Sequence, residues 1–153
     1  MSDMQRQGQV RIVEGMACNA EAREFTFDGV FPCDATQRQV YAEVGLPVLC
    51  ECMRGINGTI FAYGQTGSGK THSLLHQGPP NDDAGLLPRL VAGLFAQAQQ
   101  DLESVYEVEA AAVQVYNEQI DDLLHPDHEV GVGHNLSAQN GGVVVGLTWI
   151  RCE

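Results

Sequence analysis

Lysine is almost absent from this sequence. The 153 residues hold eight basic side chains against 20 acidic ones, for a net charge of -12. Seven of the eight are arginine, and Lys70 is the single lysine. A surface of that sign repels nucleic acid and anionic lipid at long range, so neither is an expected partner. Long apolar runs are missing as well. No stretch approaches the roughly 18 residues that span a bilayer. The opening MSDMQRQGQV has no hydrophobic segment of the secretory kind. The expectation is a soluble, cytoplasmic protein without membrane association. Paired cysteines are also lacking. Cys18, Cys33, Cys50, Cys52 and Cys152 are odd in number and include no C-x-x-C, which argues against a disulfide framework and for reduced thiols. In that setting the N-x-[ST] sequences at Asn57 and Asn135 are chance matches.

What is present suits a folded domain. Hydrophobic residues make up 44% and charged residues 18%, an ordinary globular balance. A compact chain of this size can bury roughly 70% of its unfolded surface. Residues 1–9 are polar and read as a tail. Val10–Val13 and Glu24–Phe27 read as strands, the second closed by the turn signal Asp28-Gly29. Thr36-Gln37-Arg38-Gln39 has capping-box spacing. The apolar stripe Val40, Val44, Val48, Cys52 then follows helix period. Pro47 should kink that helix by removing the bond to the Glu43 carbonyl, and Gly55 should end it.

Thr59-Ile60-Phe61-Ala62-Tyr63 reads as a buried strand. A helix is expected from about Lys70, then a loop near 77–83. A second helix should carry Pro88 in its first turn and an apolar face of Leu87, Leu90, Val91, Leu94 and Phe95. Val105–Tyr116 reads as a central strand and Glu118–Leu124 as a short helix ended by His125-Pro126. The stretch 129–142 reads as loop. Val143–Val145 and Leu147–Arg151 should form a last strand pair around Gly146. Strands alternating with helices predict an α/β fold, a layered sheet flanked by helices.

One segment carries specific chemistry. Gly64-Gln65-Thr66-Gly67-Ser68-Gly69-Lys70-Thr71 matches G-x-x-x-x-G-K-[ST] in full, with a predicted strand before it and a helix after it. Glycines let such a loop turn with positive φ and bring backbone N–H groups against phosphate oxygens. The following helix start adds unpaired amides. Lys70 is expected to reach the β- and γ-phosphates, and the Thr71 hydroxyl to bind Mg²⁺. The single lysine of the chain thus stands where this loop requires one.

The residues around the loop extend the pattern. Phe25-Thr26-Phe27-Asp28-Gly29-Val30-Phe31, Thr36-Gln37, Val40-Tyr41 and Asn57-Gly58-Thr59-Ile60-Phe61-Ala62-Tyr63 precede or lead into it. Gly85-Leu86-Leu87-Pro88-Arg89 follows, then Val115-Tyr116-Asn117-Glu118-Gln119-Ile120 with Asp122-Leu123-Leu124, then Val144-Val145-Gly146-Leu147-Thr148. These blocks resemble, in order, those of the kinesin motor domain family. The resemblance implies a P-loop NTPase fold over 10–153, a cofactor site for ATP and Mg²⁺ at 64–71, and microtubules and the cytoskeleton as partner and location. It also shows what does not occur in these residues. The family's switch patterns N-x-x-S-S-R-S-H and D-x-A-G-S-E, and the R-x-R-P strand that helps hold adenine, have no match. The expectation is therefore an incomplete motor fold that binds Mg–ATP with little hydrolysis and associates weakly with microtubules. Its sheet edges would be left open to a protein partner. The alternatives are a non-catalytic interaction module held in a larger complex and, with less support, a small P-loop kinase.

Other polar clusters read more plainly. His72 and His76 have i, i+4 spacing that can hold zinc, but helix surface or a position beside the nucleotide is the favoured reading. His125, Asp127 and His128 read as a solvated loop, and Asp121-Asp122 as a solvated helix end. Cys50 and Cys52 read as core or half-buried thiols, and Trp149 as packed against the last strands.

Overall fold

A computed structural model describes residues 8–13, 22–77, 83–125, 137–139 and 143–152. They belong to two compact units, residues 1–100 and 101–153.

In the first unit, β1 (Gly8–Val13) and β2 (Ala22–Phe27) form an antiparallel ladder running from Gly8↔Phe27 to Val13↔Ala22. Both strands were expected, the second from its alternation, but β1 takes in Gly8 and Gln9, which the sequence assigned to a tail, because both pair with β2. Thr36 then starts α1 (Gln37–Val40) with the expected capping box. Its hydroxyl accepts from the Gln39 N–H at 3.2 Å, while Gln39 Oε1 accepts from the Thr36 N–H at 2.8 Å.

Pro47 does not act as expected. The chain passes from α1 through one π-helical turn, Tyr41–Gly45, into α2 (Leu46–Met53), so that proline lies in the first turn of a new α-helix. A missing N–H costs least there. The wide turn absorbs the change of register, with the Leu46 N–H donating to the Tyr41 carbonyl. The end of α2 is where the sequence put it: the Gly55 N–H donates to the Cys52 carbonyl at 2.9 Å.

α3 (Lys70–Leu75) follows, and then α4 (Leu86–Gln100), which packs against α2, α3 and the π turn. Leu49 and Leu86 are the buried apolar side chains among the described residues. Gly93 permits the approach of α4: a Cβ there would lie 2.6 Å from Tyr41 Oη and 2.8 Å from Leu49 Cδ2. The inward face is shifted from the expected one. Leu86 is buried and Leu90, Leu94 and Phe95 are half-buried, but Leu87 and Val91 are exposed. Cys50 and Cys52 are exposed rather than core thiols, because Leu49 takes the inward position on α2.

Residues 59–63 form no strand. Phe61 and Tyr63 are 81% and 90% exposed, their rings stacked with centroids 6.5 Å apart. A β-rich run becomes a strand only when another strand takes up its backbone groups, and no described strand does so.

The second unit departs further from expectation. The segment read as one central strand is two: β3 (Val108–Ala110) and β4 (Val113–Tyr116), in different sheets. The expected helix at 118–124 is instead β5 (Gln119–Asp122), which pairs with β4 from Val113↔Asp122 to Tyr116↔Gln119. Asn117 and Glu118, with φ of 49° and 63°, make the two-residue turn between them. The last strands do not pair with each other. β6 (Ser137–Gln139) pairs with β7 (Val143–Val145), and β8 (Ile150–Cys152) pairs with β3. Trp149 is 60% exposed rather than packed. The loop reading of 129–142 falls largely outside the described residues, as do Pro126, Asp127 and His128.

All described strands thus pair two at a time and antiparallel. The chain has both helices and strands, but the layered sheet flanked by helices is not formed by the described residues. None of the described helices is long and apolar enough to cross a membrane.

The acidic pair is the clearest correction. Asp121 and Asp122 are buried, not a solvated helix end. Asp122 Oδ1 accepts from the Leu124 N–H at 3.0 Å, and Oδ2 from the Thr148 N–H at 2.6 Å. Desolvation pushes the Asp122 pKa up. The bonds from Thr148 and Leu124 and the nearby His125 outweigh it and hold the carboxyl below its usual value of 3.8. A carboxylate depressed in the folded state adds stability above its unfolded value and loses it as pH falls through the folded one. Asp122→Asn is therefore expected to lower stability at neutral pH and to flatten the loss of stability below pH 3.8. Trp149 fluorescence during acid titration reads both. An unchanged acid limb in the variant would remove this role.

Candidate functional site: the glycine-rich loop and the helix after it

Residues 64–69 form a loop, and Lys70 and Thr71 stand in the first turn of the helix that follows it. The loop runs directly into α3, with Gly69 at the helix start in left-handed conformation at φ 92°. Gly67 also has positive φ, at 82°. An L side chain at either position is strained, because its Cβ crowds the carbonyl oxygen. The Ser68 N–H donates to the Gln65 carbonyl at 3.2 Å, and the Ser73 N–H to the Gly69 carbonyl at 2.9 Å, which is the first helical bond of α3.

Lys70 closes the loop. Its Nζ donates to the carbonyls of Gly64 at 2.8 Å and Gln65 at 2.7 Å. An ammonium carries three donors, so two are taken by the loop's own backbone. The positive charge is thereby fixed across the loop mouth and not left on a mobile stem. Gly64, Gln65, Thr66, Gly67, Ser68 and Gly69 are exposed, Lys70 is half-buried, and Thr71 is exposed in the first turn of α3. The loop therefore has an open outer side, a fixed cation and a hydroxyl one residue further on. That set of groups suits a multiply charged anion with a hard cation.

Two elements hold α3 in place. The Gly85 N–H, just before α4, donates to the His76 carbonyl at 2.8 Å. From the other side comes Gln37 of α1. Its Nε2 lies 2.8 Å from the His72 carbonyl oxygen and 3.0 Å from His72 Nδ1. Reasoning from the sequence missed this second contact. Gln37 was visible as the residue after a helix cap and as part of the Thr36-Gln37 block, and nothing local reports a partner 35 positions away. The His72 and His76 rings lie 4.9 Å apart, centroid to centroid. No group of three or more metal-binding side chains occurs among the described residues.

Comparison with known proteins agrees with this arrangement of blocks. The family model described as kinesin motor domain matches residues 3–153. Kinesin-like protein unc-104 of Caenorhabditis elegans is 36% identical over 133 residues, which cover 81% of this chain and 8% of that protein. Kinesin-like protein KIFC2 of Homo sapiens is 40% identical over 128 residues, or 82% of this chain and 15% of that protein. Kinesin-related protein 3 of Dictyostelium discoideum is 43% identical over 106 residues, or 65% and 9%. The chain belongs to the kinesin motor domain family, and with it to the P-loop NTPase fold class. It matches only a small part, 8% to 15%, of the length of these relatives.

The conformation of Gly69 generates a test that needs no ligand. Gly69→Val forces a β-branched side chain to φ near 92°, at a cost of about 1–2 kcal/mol. Hydrogen exchange is expected to quicken at Ser73, whose amide bonds to Gly69. Unchanged protection there would mean that the loop does not depend on the left-handed residue.

Proposed function

We propose that Gly64, Gln65, Thr66, Gly67, Ser68, Gly69, Lys70 and Thr71 bind Mg–ATP. In this reading the loop amides and Lys70 take the β- and γ-phosphates, and the Thr71 hydroxyl takes the Mg²⁺ ion. The bound metal would neutralise charge on those phosphates. The observation that carries the reading is the placement of Lys70. The only lysine in 153 residues bridges two carbonyls of a loop held open by left-handed glycines.

Binding and hydrolysis separate in this reading. Phosphoryl transfer is catalysed by positioning and charge stabilisation. The family's two switch patterns, which would orient water and sense the γ-phosphate, do not occur in these residues. These 153 residues by themselves therefore bind nucleotide with hydrolysis near background. Microtubules are the family's filament, and a chain of net charge -12 binds that acidic surface weakly. The setting is the cytoplasm and its cytoskeleton. Lys70→Ala is expected to weaken Mg–ATP binding roughly a hundredfold, measured by titration with a fluorescent ATP analogue. Equal affinity in wild type and variant would end the claim.

A second reading is an interaction module without catalysis. It draws on the exposure of Phe61 and Tyr63, at 81% and 90%, in a run of strand-forming residues. Here another protein supplies the missing neighbouring strand. Sedimentation then shows self-association that Phe61→Ser with Tyr63→Ser reduces. A monodisperse wild-type chain would retire this reading.

A further inference from the structure

We infer that Gln37 is a positioning residue for the phosphate loop: its amide spans from α1 to α3, anchors the turn that carries Lys70 and Thr71, and fixes the tautomer of His72. The consequence for nucleotide rests on the binding function proposed above. The geometry does not.

The carbonyl decides which way the amide points. Only a donor can lie 2.8 Å from the His72 carbonyl oxygen, so the atom there is Nε2 and not the amide oxygen. The same nitrogen carries a second hydrogen, and His72 Nδ1 lies 3.0 Å away. Nδ1 must then accept. A neutral imidazole that accepts at Nδ1 carries its proton at Nε2. One side chain thus reads both the backbone and the ring of a residue 35 positions on.

Gln37 is suited to this task. It is buried, and its backbone directly follows the Thr36 cap, whose reciprocal bonds with Gln39 fix the first turn of α1. A buried amide on a fixed backbone holds its partner more firmly than a surface side chain does, because little rotamer freedom remains to be lost. The partner is the residue after Thr71 and two after Lys70. Movement of the His72 carbonyl moves the turn on which both stand. The contact therefore links the capping box of α1 to the orientation of the loop's cation and hydroxyl.

Two variants separate the contact from the space it fills. Gln37→Met keeps the volume and removes both donors. Gln37→Glu keeps the length but turns a donor into an acceptor. The first readout is the ¹⁵N spectrum of the His72 ring, without nucleotide or Mg²⁺, at a pH where the ring is neutral. Wild type is expected as the Nε2–H tautomer. Gln37→Glu is expected to move the proton toward Nδ1, since the carboxylate can only accept. The second readout is affinity for Mg–ATP. Gln37→Met is expected to bind roughly tenfold more weakly, with a melting temperature close to that of wild type. Wild-type His72 protonated at Nδ1 would overturn the assignment, even if both variants failed to fold. So would undiminished Mg–ATP affinity in Gln37→Met. If wild type binds no nucleotide, the proposed function fails, and the ring spectrum still decides the contact.

Discussion

The structure of the first unit depends on a loop that closes on a cation of its own chain. The carbonyls of Gly64 and Gln65 both turn toward Lys70 Nζ. They can do so because Gly67 and Gly69 hold conformations that other residues enter at a cost. The charge is then fixed while the outer side of the loop stays open. The flanking elements brace that arrangement. Gln37 holds the first turn of α3, and Gly85 holds His76, the residue just past its end. Each brace enters from a different stretch of sequence, and neither acts on the loop directly. The loop can thus remain exposed while the helix behind it is held.

The packing around this loop is sparse. Leu49 and Leu86 are buried, yet Phe61, Tyr63, Leu87 and Val91 are not. Apolar exposure of that kind stabilises nothing in this chain by itself. The tight places are local: Gly93 against Tyr41 and Leu49, and the π turn that admits Pro47. Order in the first unit therefore comes largely from caps, turns and close helix contacts, with little contribution from a large apolar interior.

Legibility in the sequence followed the range of the interaction. Features decided within four or five residues could be read directly. The capping box at Thr36, the end of α2 at Gly55, strands β1 and β2 and the loop-to-helix junction at Gly69–Lys70 are all of this kind. Features decided by distant partners could not. Nothing local distinguishes a helix at 118–124 from the strand that forms. The choice is made by two left-handed residues, Asn117 and Glu118, of which only asparagine advertises that conformation. The burial of Asp122 depends on an amide 26 residues away, so an acidic pair that reads as solvated becomes a buried acceptor. Thr59–Tyr63 has every local mark of a strand and still lacks a partner among the described residues. Of the loop, the glycines, Lys70 and Thr71 were legible, while the brace through Gln37 was not.

The Asp122–Thr148 bond also shapes how the second unit can come together. It is a clasp between chain positions 26 apart. The β4–β5 hairpin and the β6–β7 pair need only short-range closure, which for hairpins takes about 1–10 μs. The clasp needs a larger closure than either pair. Because closure entropy rises only logarithmically, doubling the enclosed length adds only about 0.6 kcal/mol. Lengthening the segment between the two ends would therefore cost the clasp little, so long as the carboxylate and the amide at its ends still meet.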